Sequence, residues 1–187
     1  MSGAAQPLGA LLAAQRILVL GPCGSGKTRL TRELSAILGL PAVHLDARFW
    51  HPGWIPTPQP EWRRTVAALV REPRWIMDGT YESTLDLRLP AAEALVMLDR
   101  PRWSCLWGVL RRSLVYRNRP RPDAPAGQPI DRAYLRYIWR YPAQTETLVR
   151  ALIARHAPRM PIVQLADRAG VEQLLAGLRT HRRVRPA

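Results

Sequence analysis

Short apolar runs of strand length alternate along the chain with longer segments of helical period. The runs are Arg16 to Gly21, Ala42 to Asp46, Trp75 to Gly79, Ala94 to Asp99 and Pro161 to Ala166. They are nearly continuous in apolar character, as suits strands covered on both faces. The helical segments run from Lys27 to Leu38, Gln59 to Arg71, Trp103 to Tyr116, Asp131 to Arg155 and Val171 to Leu178. This alternation predicts an α/β fold, a parallel sheet with helices on both faces, built as one domain over 1–187.

Two segments depart from the plain alternation. In the third helix Trp103, Leu106, Trp107, Leu110 and Leu114 share one face, which predicts a buried stripe with Arg111 and Arg112 at its border. From about 117 to 131 the chain is rich in proline and arginine and short of apolar residues, which predicts a loop or lid.

Composition adds exclusions. Hydrophobic residues make up 47% and charged residues 22%, as in globular proteins. No apolar run approaches the ~18 residues of a membrane-spanning helix, so no membrane partner is expected. The first fifteen residues lack the positive start of a secretory signal, which reads as a cytoplasmic protein. Cys23 and Cys105 have no metal-ligand spacing and read as free thiols. Net charge is +14, and Lys27 is the only lysine among 28 basic residues. Such a field attracts polyanions, which keeps nucleic acid open as a partner.

The segment Gly21-Pro22-Cys23-Gly24-Ser25-Gly26-Lys27-Thr28 matches G-x-x-x-x-G-K-[ST] and stands between a strand and a helix. Glycines there let successive N–H groups turn toward phosphates, and the helix presents its positive end to them. The motif predicts an ATP site with Lys27 on the β- and γ-phosphates and Thr28 on Mg²⁺, Arg29 following in the same turn. A compact ammonium suits that place better than a guanidinium, which fits the lone lysine.

Acidic residues end three strands: Asp46, Asp78 and Asp99. In open α/β sheets the ligand crevice lies beyond those ends. Asp78 is the first candidate for the carboxylate that holds Mg²⁺, and Asp46 for the group that orients or deprotonates an acceptor hydroxyl; the other reading for each is a turn or helix cap. His44 lies on the same strand face as Asp46. Arg111 and Arg112 precede the lid, and Arg117, Arg119 and Arg121 lie in or near it. Arg132, Arg136 and Arg140 make a stripe after it, which is either a phosphate-facing set or a solvated basic face. Phe49, Trp50, Trp54 and Trp62 cluster around a proline-rich segment and either stack on an acceptor or fill core.

The phosphate loop, His-Leu-Asp-Ala-Arg-Phe-Trp-His-Pro-Gly-Trp at 44–54, Trp-Ile-Met-Asp-Gly-Thr-Tyr at 75–81, Thr-Leu-Asp-Leu-Arg-Leu at 84–89, Leu-Asp-Arg-Pro-Arg-Trp-Ser-Cys-Leu-Trp at 98–107 and Tyr-Ile-Trp-Arg-Tyr-Pro at 137–142 together resemble the adenylate kinase-like P-loop proteins of the DNA topology modulation (FlaR-like) family. More distantly the motif order looks like that of adenylate and shikimate-type kinases.

The resemblance implies a three-layer P-loop NTPase fold with five parallel strands in the order 2-3-1-4-5. It implies an acceptor-side segment at about 46–88, lid-side catalytic arginines at Arg111, Arg136 and Arg140, and Asp167 beside the adenine. Adenylate kinases follow Asp-Gly with Pro-Arg, whereas this chain has Thr80-Tyr81, with Arg48, Arg74 or Arg88 as substitute cations on the acceptor side. The activity expected is transfer of the γ-phosphoryl of Mg-ATP to a small acceptor: a nucleotide, a nucleoside or a hydroxylated metabolite. The rivals are a nucleic-acid-associated ATP-binding regulator and an ATPase without a small acceptor.

Overall fold

The computed structural model describes residues 5–116, 121 and 123–184. Five strands, β1 (Arg16–Leu20), β2 (Ala42–His44), β5 (Trp75–Asp78), β6 (Ala94–Leu98) and β7 (Ile162–Leu165), form one parallel sheet in the order β2-β5-β1-β6-β7. A separate two-stranded hairpin joins β3 (Trp50–His51) to β4 (Ile55–Pro56). With that hairpin set aside, the sheet order is 2-3-1-4-5, as expected.

Strand alternation divides the core into two faces. Ile17, Val19, Ile76, Val96 and Val163 point to one side and meet α1 (Ala5–Ala13), α2 (Lys27–Leu38) and α8 (Arg168–Val184). Leu18, Leu20, Met77, Leu95 and Met97 point to the other and meet α4 (Gln59–Leu69), α5 (Leu85–Ala91) and α7 (Arg132–His156). The result is the three-layer P-loop kinase-like fold. No described helix is long and apolar enough to cross a membrane.

Gly39 ends α2 in the left-handed conformation, its N–H closing on the Ser35 carbonyl. The Asp131 carboxylate starts α7 by accepting from the Tyr134 N–H at 2.7 Å.

Helix α6 (Arg102–Val115) turns the other way from its expected orientation. Its buried residues are Cys105 and Val109, which pack with Ile138 of α7, whereas Trp103 is 70% and Trp107 67% exposed, with Leu110 and Leu114 exposed beside them. The cause is steric. α6 lies directly on the phosphate loop, where only its narrow side, Cys105 and Gly108, fits; the tryptophan stripe is left outside.

Arg88 is buried without exposed surface. Its guanidinium donates to the carbonyls of Gly79 (2.8 Å), Thr80 and Tyr81 (2.8 Å), and its Nε donates to the Thr84 hydroxyl at 3.2 Å. Burial lowers its pKa from the usual arginine value, but the carbonyl dipoles converge on a cation and hold it charged. The group is therefore a clamp on the turn after β5 rather than a substrate cation. Replacement Arg88→Met leaves three carbonyls without their donor and is expected to cost ~3–5 kcal/mol in denaturant unfolding, with Tm lower by about 10 °C. A loss under ~1 kcal/mol would show that water or rearrangement satisfies the turn without it.

Candidate active site

The loop from Gly21 to Gly26 joins β1 to α2 at the carboxyl end of the sheet. Gly26 caps α2 in the left-handed conformation with no side-chain hydrogen bond and no acidic residue in the first turn, so the helix's free N–H groups and positive end are open to an anion. The Ser25 hydroxyl is buried with no partner among the described residues. A buried donor left in that state is what a phosphate-binding loop keeps for its ligand. Lys27 curls over the loop, its ammonium donating to the carbonyls of Gly21 (2.7 Å) and Pro22 (2.9 Å).

Two glycines set how the loop is supported. Gly24 has φ +80°, and a Cβ on it would run into the Cys105 carbonyl of α6. A Cβ on Gly108 would in turn run into the Gly24 carbonyl. Loop and helix therefore touch backbone to backbone, and neither position tolerates a side chain.

On one side of the loop stand two hydrogen-bonded carboxylates. Register places His44 of β2 beside Asp78 of β5, and Nδ1 of His44 lies 2.8 Å from Asp78 Oδ2. That bond, outweighing burial, raises the His44 pKa. Asp46 begins the short helix α3 (Asp46–Phe49), and its Oδ1 accepts the Tyr81 hydroxyl at 2.6 Å. Burial and the Asp46 carboxylate push the Tyr81 phenol up, so it stays a donor. The Thr80 hydroxyl donates to the Gly21 carbonyl at 2.9 Å and lies 3.3 Å from the Tyr141 hydroxyl of α7. A single carbonyl, that of Gly21, thus receives both Lys27 and Thr80.

On the opposite side Arg100, Arg111 and Arg112 line the same cleft, whose volume is about 1040 Å³. Arg121, Asp123 and Gln128, from the segment expected as a lid, line the same cleft. The Thr28 hydroxyl donates to Asp123 Oδ2 at 3.0 Å, Arg121 bonds the same oxygen at 2.7 Å, and the Trp54 indole N–H reaches the Ala126 carbonyl at 2.9 Å. Burial works to raise the Asp123 pKa, but the bonds from Arg121 and Thr28 outweigh it and hold the carboxyl below its usual range. Arg112 donates to the Gln128 amide oxygen at 2.7 Å and to the Tyr134 hydroxyl at 3.1 Å.

The cleft brings together the residues from Cys23 to Arg29 with Asp46, Asp78 and Arg111. It does not gather every residue that the resemblance suggested. Arg136 lines an apolar groove between α6 and α7, beside Trp103, Trp107 and Trp139, and Arg140 is exposed and off the cleft lining. The buried face of α7, formed by Ile138, Tyr141, Thr145, Val149 and Ile153, fixes its rotation, so that its arginine stripe faces outward. Asp167 is exposed and accepts the Gly170 N–H at 2.7 Å, a turn at the start of α8. Asp99 is exposed and lines no part of the cleft. Trp62 and Phe49 are core, Trp50 faces the cleft, and Trp54 supports the lid segment. Arg117 and Arg119 lie outside the described residues. Asp123 and Gln128 were not singled out from sequence, where a lone acid within an arginine- and proline-rich stretch is the available signal.

No three of His, Cys, Asp and Glu come together among the described residues to cage a metal unaided. Thr28, Asp78 and Asp123 offer oxygens only, the donor chemistry that Mg²⁺ takes when phosphates supply its remaining ligands.

Sheet order and loop together give the chain a P-loop kinase-like fold. The chain is similar to the shikimate kinase from Acinetobacter baumannii in complex with shikimate, with a TM-score of 0.54 at 16% identity over 95% of this chain and 97% of that one. It is also similar to a gluconokinase from Sinorhizobium meliloti 1021 (TM-score 0.48, 15% identity, covering 90% of this chain and 94% of that one). A third is the deoxyadenosine kinase from M. mycoides with bound dCTP (0.47, 10%, 88% and 98%). No protein-family model and no curated protein matches the chain by sequence.

Two outcomes are expected from this geometry. Gly108→Ala must push α6 off the loop, costing ~1–3 kcal/mol in unfolding and about tenfold in ATP affinity by calorimetry. Cys105 is buried and its thiol is pushed up to about 11 by that burial, whereas Cys23 is half-exposed in the cleft. A thiol reagent should therefore label Cys23 alone in the folded protein, ATP should slow that labelling, and Cys105 should react only on unfolding. Equal labelling of both would contradict the packing of α6.

Proposed function

We propose that the chain is a kinase that transfers the γ-phosphoryl of ATP to a hydroxyl of a small acceptor. The observation that carries this reading is one concave cleft in which a phosphate loop with Lys27 and Thr28 stands between hydrogen-bonded carboxylates on one side and arginines on the other. A kinase needs that arrangement: one wall to orient the attacking oxygen, the other to offset charge on the moving group.

In this reading the loop N–H groups and the N-terminus of α2 bind the phosphates. Lys27 leaves the Gly21 and Pro22 carbonyls for the β- and γ-oxygens, and Thr80 remains on Gly21, so the carbonyl is not orphaned. Mg²⁺ fits the oxygen set of Thr28 and Asp78 and would supply charge neutralisation at the β- and γ-phosphates. Asp46, fixed by Tyr81, accepts the proton of the acceptor hydroxyl as its oxygen bonds to the γ-phosphorus and the bond to the β-phosphate oxygen breaks. Arg111 and Arg112 approach from α6 to offset charge on the transferring group, and the segment at 121–131 serves as the lid. Arg136 and Arg140, placed outside the cleft, take no part.

A second reading, an ATP-binding protein associated with nucleic acid, draws on the net charge of +14 and the outward arginines of α7. The concave cleft beside the phosphate loop favours the kinase. The deciding assay is ADP formation with Mg-ATP alone, with small hydroxylated acceptors, and with DNA or RNA. Acceptor-dependent turnover is expected, lower by ~10²-fold or more in Lys27→Ala, with a weakened magnesium dependence in Asp78→Asn. Stimulation by nucleic acid alone would favour the second reading.

A further inference from the structure

The kinase reading leaves the acceptor open, and the electrostatics of the cleft narrow it. Strand order places the carboxyl ends of β2 and β5 on one side of the loop strand and β6 on the other. The side formed by β2 and β5 carries Asp46, Asp78 and Glu82, with the rings of Trp50 and Tyr81. Of the cations lining the cleft, Lys27, Arg29 and Arg32 belong to α2, Arg100 to the loop between β6 and α6, and Arg111 and Arg112 to α6.

Two cations reach across, and both are turned toward one carboxylate, Asp123. Arg121 lies 3.9 Å from Asp46 but 2.7 Å from Asp123, and Arg32 faces the same Asp123 at 3.9 Å. The arginines that sequence offered as substitutes do not supply the lack. Arg88 is buried and saturated by carbonyls. Arg74 donates to Gln15 and to the Gly39 carbonyl, and Arg48 does not line the cleft.

We infer that the acceptor is an uncharged, hydroxyl-bearing ring compound, a nucleoside or a sugar, and not a phosphorylated or carboxylated one; the inference rests on the kinase reading. Among the described residues, a phosphate or carboxylate seated on that side would face Asp46, Asp78 and Glu82, of which only Asp78 has a basic partner on that side, His44, with no free cation to pair the ligand; like charges at such range cost orders of magnitude in affinity. A neutral ring meets no such cost. Its hydroxyls can donate to Asp46 and Asp78, acceptors held in place by Tyr81 and His44, and its face can lie on Trp50, whose ring is half-buried at the cleft wall.

The test is a set of matched pairs at fixed Mg-ATP, read as kcat/KM for ADP formation: adenosine against AMP, thymidine against dTMP, D-glucose against D-gluconate. A neutral member is expected to act as acceptor, with its charged partner ~100-fold or more poorer, mainly in KM. The first two pairs against the third separate nucleoside from sugar. Glu82→Gln, which removes one repelling carboxylate, should narrow the gap for the charged partner about tenfold while leaving the neutral acceptor's kcat near its original value. Preference for AMP, dTMP or gluconate over the neutral partner would overturn this inference and leave the kinase standing. ATP binding by calorimetry with no stimulation by any of the six compounds would overturn both.

Discussion

The Arg88 guanidinium holds three consecutive carbonyls, Gly79, Thr80 and Tyr81, and the geometry of the cleft follows from that clamp. With the turn fixed, Tyr81 points its hydroxyl at Asp46 and Thr80 points its own at Gly21. The wall that bears Asp46 and the phosphate loop are thereby referenced to the same short stretch of backbone. Tyr81 adopts φ +35°, a conformation that a tyrosine holds only where its surroundings over-determine it, and the buried cation beneath is what does so. A turn left to water would be free to relax, and the separation of the two walls would relax with it.

Charge is distributed with similar economy. The chain is strongly basic, yet the interior of the cleft is a balanced array in which Asp123 answers Arg121, Arg32 and the Thr28 hydroxyl together. Excess positive charge lies outside, along exposed arginines of α7 and α8. The attraction of polyanions is thus a property of the surface, whereas the cleft itself is acidic on the side of β2 and β5 and cationic on the side of α6.

What the sequence made readable was local. The three central strands of the sheet are nearly continuous apolar runs, and the phosphate loop is a motif whose residues are fixed by its chemistry, so both were visible without a structure. Less visible were elements without period. α1 is a short alanine- and leucine-rich segment, and α5 is seven residues long with Pro90 inside it. Orientation was hidden too. Periodicity in α6 showed a tryptophan face but not that the opposite, narrower face must meet the loop, and the i, i+4 spacing of Arg132, Arg136 and Arg140 showed a stripe but not its direction. The glycine at 108, between bulky residues, is the one local sign that α6 approaches another backbone there. Arg88 looked like a free cation because burial is a tertiary property; its place in Leu-Asp-Leu-Arg-Leu, flanked by residues that enter the core, was the clue.

The backbone contact between Gly24 and Gly108 also bears on how the protein moves. Side chains between two elements act as a cushion, since rotamers absorb small displacements before either backbone shifts. Here there is no cushion. Arg111 and Arg112 ride on the turn that follows Gly108, so any displacement of the loop at that contact is also a displacement of the wall they form. Loop and opposite wall are in this way one rigid unit.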